Sequence, residues 1–159
     1  MLPGYSCREL VAVLVNYIKD DAERRLVVCS AYFPYDSEDP PPSRELDELM
    51  RYCENDYLFL IVGFDSNAHH TACASTNCNN RGEALVEFLS SSSLEILNQG
   101  NESTFCSGSR HEVIGITLGS FGIPESITGW EVCLEPSLSD QTYSVHSTGL
   151  PAVTPDQEP

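Results

Sequence analysis

Hydrophobic and polar positions along the first third of the chain predict a β-hairpin followed by a helix. Branched apolar residues fill 10–17 and 26–32, and the polar segment 19–24 between them predicts a turn. Pro34 ends the hairpin, and a loop rich in proline and acidic residues follows at 36–42. Ser43 then offers a helix N-cap. The apolar residues after it recur at helical spacing: Leu46, Leu49, Met50 and Cys53.

The next segments predict one buried strand and a second helix. Every residue at 57–62 is apolar, which predicts a central strand buried on both faces. A polar loop at 63–81 leads to a helical face formed by Ala84, Leu85, Phe88 and Leu89. Short strands are predicted at 94–97, 104–106, 112–118, 129–134 and 141–147. Strands alternating with two helices indicate a mixed α/β fold.

Length and composition predict one globular domain. The chain has 159 residues, and its longest apolar run, 58–63, is far shorter than the roughly 20 residues of a membrane-spanning helix. The first residues lack the features of a signal peptide. We therefore expect an intracellular, soluble protein whose seven cysteines are reduced. The segment 149–159, with three prolines and two acidic residues, is expected to be a disordered tail.

The charge balance limits the partners. The formal net charge is −16, from 24 acidic against 8 basic residues, and Lys19 is the only lysine. Affinity for nucleic acid depends mainly on lysine and arginine neutralising phosphates. Binding to DNA is therefore expected to be weak or absent. No membrane partner is expected, and the oligomeric state is left open.

The densest polar cluster begins where the apolar segment 57–62 ends. It reads Gly63-Phe64-Asp65-Ser66-Asn67-Ala68-His69-His70. In an extended stretch, Asp65 and Asn67 would share one face, where a carboxylate can hold Mg²⁺ or a water and an amide can bind a phosphate oxygen. The alternative is a turn in which both side chains bond their own backbone.

A second alternative for this region is a zinc site. Its ligands would come from two histidines and the two cysteines that follow them: His69, His70, Cys73 and Cys78. The spacing of these residues is unusual for a structural zinc site, so the sequence favours this possibility less.

Six segments in order carry a resemblance to a known family: 26–34, 60–70, 80–85, 96–98 with 104–105, 114–118 and 137–140. They resemble the endonuclease/exonuclease/phosphatase superfamily, in its non-LTR, jockey-like retrotransposon branch. The segment 60–70 is similar to the family motif Gly-Asp-Phe-Asn-Ala-His, with one extra residue between Gly63 and Asp65. The resemblance covers residues 8–148 and implies the C-terminal part of a two-sheet α/β sandwich with outer helices.

The resemblance implies Mg²⁺-dependent hydrolysis of DNA phosphodiesters and a role for four residues. Tyr32 would contact the scissile phosphate or its water, and Asp65 would orient or activate that water. Asn67 would bind a phosphate oxygen, and Asp140 would help to hold the metal ion.

The departures from the family imply that the catalytic pair is missing. Gly115 stands where the family has an aspartate, and Gln141 stands where it has the histidine that pairs with that aspartate. A neutral amide lacks the positive charge that stabilises the phosphate in the transition state. Neither His111 nor His146 is placed in sequence to substitute. Cys73 stands where the family has tryptophan.

The resemblance also implies an N-terminal half, with a metal-binding glutamate, that we expect this chain to lack. Marginal stability is then expected, because some strands would lack neighbours. The favoured hypothesis is a degenerate, catalytically inactive endonuclease domain, a pseudoenzyme of transposable-element origin. The alternatives are a residual metal-dependent phosphohydrolase and a non-catalytic acidic binding module.

Overall fold

The structure is a computed structural model that describes residues 2, 4–19, 21–37, 40–123, 127–132 and 144–147. Several predictions therefore lie outside the described residues. These are the disordered tail at 149–159 and the sites expected at Asp140 and Gln141. The strand expected at 141–147 is described only as Ser144–Ser147.

The described part is a mixed α/β fold, as predicted. The strands are β1 (Leu10–Lys19), β2 (Ala22–Tyr32), β3 (Phe59–Asp65), β4 (Leu94–Ile96), β5 (Phe105–Ser107), β6 (Arg110–Glu112), β7 (Gly115–Ser120), β8 (Ile127–Glu131) and β9 (Ser144–Ser147). The helices are α1 (Arg44–Asn55) and α2 (Asn80–Ser91), and a single 3₁₀ turn spans Thr71–Cys73.

Five strands form the main sheet in the order β1-β2-β3-β7-β4. β2 and β3 are parallel and α1 connects them, while the other neighbours are antiparallel. Two small antiparallel sheets pair β5 with β6 and β8 with β9. The last strand of the main sheet in sequence, β7, is therefore inserted between two earlier ones.

Helix α1 confirms the prediction made from its apolar spacing. The Ser43 side chain accepts a hydrogen bond from the Leu46 N–H, as an N-cap does. Two exposed i,i+4 ion pairs lie on its polar side, Arg44 with Glu48 and Asp47 with Arg51. Its buried residues are the four predicted ones: Leu46, Leu49, Met50 and Cys53.

Both helices contribute to one hydrophobic core with a single face of the main sheet. That face carries alternate residues of β2, β3 and β7, which pair across the sheet. Its buried members include Val27, Cys29, Leu60, Val62, Phe64, Ile116 and Leu118. Phe64 is fully buried and packs on Phe33, with ring centroids 5.2 Å apart.

The opposite face of the sheet is only partly covered. Over β7, the indole N–H of Trp130 donates to the hydroxyl of Thr117, a hydrogen bond of 3.0 Å that is buried. Over β1 and β2, Val11, Val13 and Val28 are about 40% exposed. This valine surface is apolar and open in the part of the chain that the structure describes.

Three predicted elements are wrong in detail. β3 is not buried on both faces, because only alternate residues of it are fully buried. The turn predicted at 19–24 is much shorter, since Lys19 pairs directly with Ala22. The strand predicted at 112–118 is broken after Glu112, where Thr104 Oγ1 accepts the backbone N–H groups of Ile114 and Gly115. No helix among the described residues is both long and apolar enough to cross a membrane.

Candidate active site at the ends of β2 and β3

Three of the predicted site residues form one row across three neighbouring strands. Tyr32 ends β2, Asp65 ends β3, and Gly115 begins β7, and the register pairs Asp65 with both of the others. Paired residues in a sheet point to the same side. The Tyr32 and Asp65 side chains therefore project from the sheet face opposite the helices. Gly115, the third position of the row, has no side chain.

Asn67 joins this row through a turn and not through an extended strand. β3 ends at Asp65, and Asn67 has a left-handed backbone with φ of 45°. Its N–H donates to Asp65 Oδ1 over 3.0 Å, so the aspartate bonds the local backbone. The expectation that Asp65 and Asn67 share a face by extended spacing is wrong, and the alternative of a turn is confirmed for Asp65.

The Asn67 side chain reaches across to the preceding strand. Its Nδ2 donates to the Phe33 carbonyl over 3.1 Å, while the Phe33 N–H donates to the Asp65 carbonyl over 2.9 Å. Ser66, which is fully buried, repeats the turn one residue later, since its hydroxyl accepts the Ala68 N–H. These bonds fix the segment that follows β3.

Arg81 is a part of the site that the sequence did not single out. One terminal nitrogen of its guanidinium donates to the carbonyls of Phe33 and Ser66, at 3.5 and 3.3 Å. It therefore braces the same carbonyl that Asn67 uses. The sequence shows an arginine in the first turn of a helix that is capped by Asn79. It does not show which carbonyls this arginine contacts, because those contacts depend on tertiary packing.

Burial is the main influence on the pKa of Asp65. Loss of hydration raises the pKa of its carboxyl above the ordinary value, and this is the largest influence. The Asn67 N–H, Arg81 and His69 each act to lower the pKa, in that order of strength. Burying the charged Asp65 carboxylate therefore lowers the folding stability of the protein.

Replacing Asp65 by asparagine is expected to stabilise the protein at neutral pH. Because its pKa is raised, the stability that the carboxyl contributes is present below its unfolded pKa and is lost as the pH rises through the folded pKa. An asparagine at position 65 keeps the Oδ1 atom that accepts the Asn67 N–H, and it carries no charge, so the loss of stability at high pH disappears. Urea denaturation should show the gain at about pH 7, and it should vanish near pH 3, below the usual pKa of aspartate.

Asp36→Asn is the matched control, since Asp36 is exposed and any benefit of removing one negative charge from an acidic protein will appear in both variants. A gain for Asp65→Asn that is no larger than for Asp36→Asn, or that persists at low pH, would contradict the burial of the Asp65 carboxylate.

His69 and Glu112 form a second pair that the sequence did not predict. His69 Nε2 lies 3.6 Å from Glu112 Oε2, and both side chains are largely buried. The pair lines a cavity of about 100 Å³ together with Ser75, Ser103 and His111. His69 is also near enough to Asp65 to influence its pKa.

The histidines considered as substitutes for the missing pair lie in the two small sheets. His111 Nδ1 lies 3.3 Å from Cys106 Sγ, across the β5–β6 hairpin. His146 belongs to β9, where its register partner is Gly129 of β8.

The four residues considered for zinc do not come together as a set. His69 pairs with Glu112, and Cys73 is buried with a pKa raised by desolvation. His70 and Cys78 do meet, and their third neighbour is Glu83. Two of the four residues therefore meet, next to a glutamate that the sequence interpretation did not include.

The described residues do not fit a magnesium ion well. Mg²⁺ prefers several oxygen ligands in near-octahedral geometry. The row supplies one carboxylate, Asp65, whose Oδ1 already accepts a hydrogen bond, and the guanidinium of Arg81 lies close enough to act on its charge. Gly115 supplies no ligand, and Asp140 lies outside the described residues.

Comparison with known proteins gives one family and a set of structural neighbours. A family model described as endonuclease-reverse transcriptase matches residues 26–145. No curated protein matches the chain significantly. The endonuclease domain of TRAS1, a telomere-specific non-LTR retrotransposon, is similar over 87% of this chain and 64% of its own, with 27% sequence identity and a TM-score of 0.67.

A second solved structure is similar in fold alone. The catalytic domain of Xenopus laevis APE2 is matched over 87% of this chain and 54% of its own, with 16% identity and a TM-score of 0.58. This chain therefore spans less than two thirds of the length of either structure.

Proposed function

Since the chain belongs to the endonuclease-reverse transcriptase family, within the endonuclease/exonuclease/phosphatase superfamily, we propose that it is a degenerate retrotransposon endonuclease domain that does not cleave DNA. The observation that carries the proposal is the row Tyr32–Asp65–Gly115. Two of its positions keep polar side chains suited to phosphate chemistry. The third, where the resemblance expects a catalytic aspartate, has none.

Gly115 is held in place by its backbone and offers no side-chain group to the row. Its N–H donates to Thr104 Oγ1 over 2.7 Å, and its carbonyl accepts Asn98 Nδ2 over 3.0 Å. Gln141, in place of the histidine of the same pair, removes the group that would stabilise charge on the phosphate.

The negative net charge of the chain disfavours binding to DNA. A net charge of −16 opposes a polyanion, and backbone affinity depends on neutralising phosphates with basic residues. Arg81, a basic residue that acts on the charge of Asp65, already donates to two carbonyls. The family substrate, DNA, is therefore proposed to bind this chain weakly or not at all.

A plasmid-nicking assay tests the proposal. With Mg²⁺ or Mn²⁺, the chain is expected to nick supercoiled plasmid no faster than its Asp65→Ala variant. Loss of one charge-stabilising group typically lowers a rate by about 10²–10³, and here the aspartate that would pair with that group is replaced as well. Asp36→Ala, an exposed change of the same type, controls for preparation differences, and an active nuclease confirms the assay.

Nicking that depends on Asp65 would overturn the proposal and favour the residual phosphohydrolase. The His69–Glu112 pair favours the residual phosphohydrolase, because it lies near enough to Asp65 to influence its pKa and could supply a proton acceptor. His69→Gln should then reduce the nicking as Asp65→Ala does. Equal rates for all variants leave the inactive domain as the conclusion.

A further inference from the structure

We propose that His70, Cys78 and Glu83, at the start of α2, form a binding site for a zinc ion. Their ligand atoms all lie within 4.8 Å of one another, and His70 Nε2 is 3.9 Å from Glu83 Oε2. Ligands at 2.0–2.3 Å from a tetrahedral zinc ion lie about 3.3–3.8 Å apart. Small side-chain movements therefore bring the three atoms to zinc distances.

The backbone holds two of the ligand-bearing segments against each other. Asn79 Oδ1 accepts the His69 N–H over 3.0 Å and the Gly82 N–H over 2.7 Å. The Asn79 N–H donates in turn to the His69 carbonyl over 2.9 Å. His70 follows the first segment, and Cys78 and Glu83 flank the second. The site is thus built before an ion arrives.

The donor set selects among metal ions. One thiolate, one imidazole and one carboxylate suit Zn²⁺, whereas Mg²⁺ requires oxygen ligands. Three protein ligands leave the fourth position of a tetrahedron for water. Cys78 and Glu83 are exposed, so an ion reaches them directly from solvent. The site is separate from the row at Asp65, and it does not rest on the proposed function.

Zinc binding has one structural consequence at His70. Its Nδ1 accepts the Ala72 N–H over 3.0 Å, so a neutral ring carries its proton on Nε2. Zinc binding at Nε2 displaces that proton. A neutral ring then carries its proton on Nδ1, and the Ala72 N–H loses its acceptor. The Cys78 thiol releases its proton to solvent as it becomes a thiolate. The change at Ala72 is a signature that random binding to a surface thiol lacks.

Titration of the full reduced chain with Co²⁺, a coloured substitute for zinc, tests the site. We expect one equivalent of Co²⁺ to give a cobalt–thiolate charge-transfer band and the visible spectrum of a tetrahedral ion. Zn²⁺ should displace it, and excess Mg²⁺ should not. The amide signal of Ala72 should shift in the nuclear magnetic resonance spectrum on binding.

Variants identify the ligands. Cys78→Ser should abolish the thiolate band, and His70→Gln and Glu83→Gln should each weaken binding at least about tenfold. Cys106→Ser is the matched control, because Cys106 is also exposed and also lies beside a histidine, His111. Since Cys78 and Glu83 are exposed, circular dichroism should show these variants folded.

Three results would overturn the zinc site. The first is the absence of a thiolate band at saturating Co²⁺. The second is a band that survives Cys78→Ser or disappears with Cys106→Ser. The third is tight binding that leaves the Ala72 amide signal unmoved, which would mean that the ion does not use His70 as proposed.

Discussion

Gly82→Ala is expected to destabilise the protein by about 2–3 kcal/mol, although alanine is the better helix former by about 1 kcal/mol. Gly82 lies in the first turn of α2, and a Cβ placed on it would come within 1.9 Å of the His69 carbonyl oxygen. That atom belongs to the backbone and cannot rotate away. The loop that follows the candidate site must therefore move off the helix.

Urea denaturation measures this loss, and Gly4→Ala is the control. A Cβ added at Gly4 would meet no atom within 4 Å, and the backbone there is not left-handed, so this substitution should change the stability by less than about 0.5 kcal/mol. A Gly82→Ala variant as stable as the parent protein would mean that the loop does not pack on α2 as described.

Phe64→Ala is expected to lower the stability by about 3–5 kcal/mol. Phe64 is fully buried in β3, at the centre of the helix-covered face, and its ring packs on Phe33. Its removal leaves a cavity that the paired strands on both sides cannot close. The same variant should weaken the site next to it, since Asp65 follows Phe64 directly.

The control for Phe64 is Phe121→Ala. Phe121 is 78% exposed, so the same substitution there should change the free energy of unfolding by less than about 0.5 kcal/mol. Both values come from urea denaturation under identical conditions. A loss below about 1 kcal/mol for Phe64→Ala would show that this side of the sheet is not the core.

The helices were predictable because their signals are local. In α1, the cap at Ser43 and the apolar spacing from Leu46 to Cys53 lie within one short segment, and the structure confirms both. The strength of such a signal does not depend on any distant part of the chain. The same holds for α2, which contains the predicted helical face of Ala84, Leu85, Phe88 and Leu89.

The sheet order was not predictable, because it depends on contacts between distant segments. Nothing in the residues of β7 shows that it pairs with both β3 and β4. Asn98 extends the pairing after β4 has ended, since its side chain bonds both Gly115 and Thr117 of β7. A side-chain amide that replaces strand backbone hydrogen bonds in this way produces no periodic pattern in the sequence.

The site was predicted in part for the same reason. The resemblance singled out Tyr32, Asp65 and Gly115, and the sheet aligns these three positions in one row, while their roles stay predictions. The spacing of Asp65 and Asn67 was misleading, because an aspartate, one residue and an asparagine are compatible with both a strand and a turn. The left-handed backbone at Asn67 decides between them, and residue spacing does not reveal it.

The insertion of β7 between β3 and β4 links assembly of the protein to its synthesis. β1, β2 and β3 can pair as soon as they leave the ribosome, but the free edge of β3 must wait for residues 115–120. Synthesis adds about 5–20 residues per second, and an open strand edge invites pairing with other chains. The time between the synthesis of β3 and that of β7 therefore sets how long this edge of β3 stays unpaired in each nascent chain.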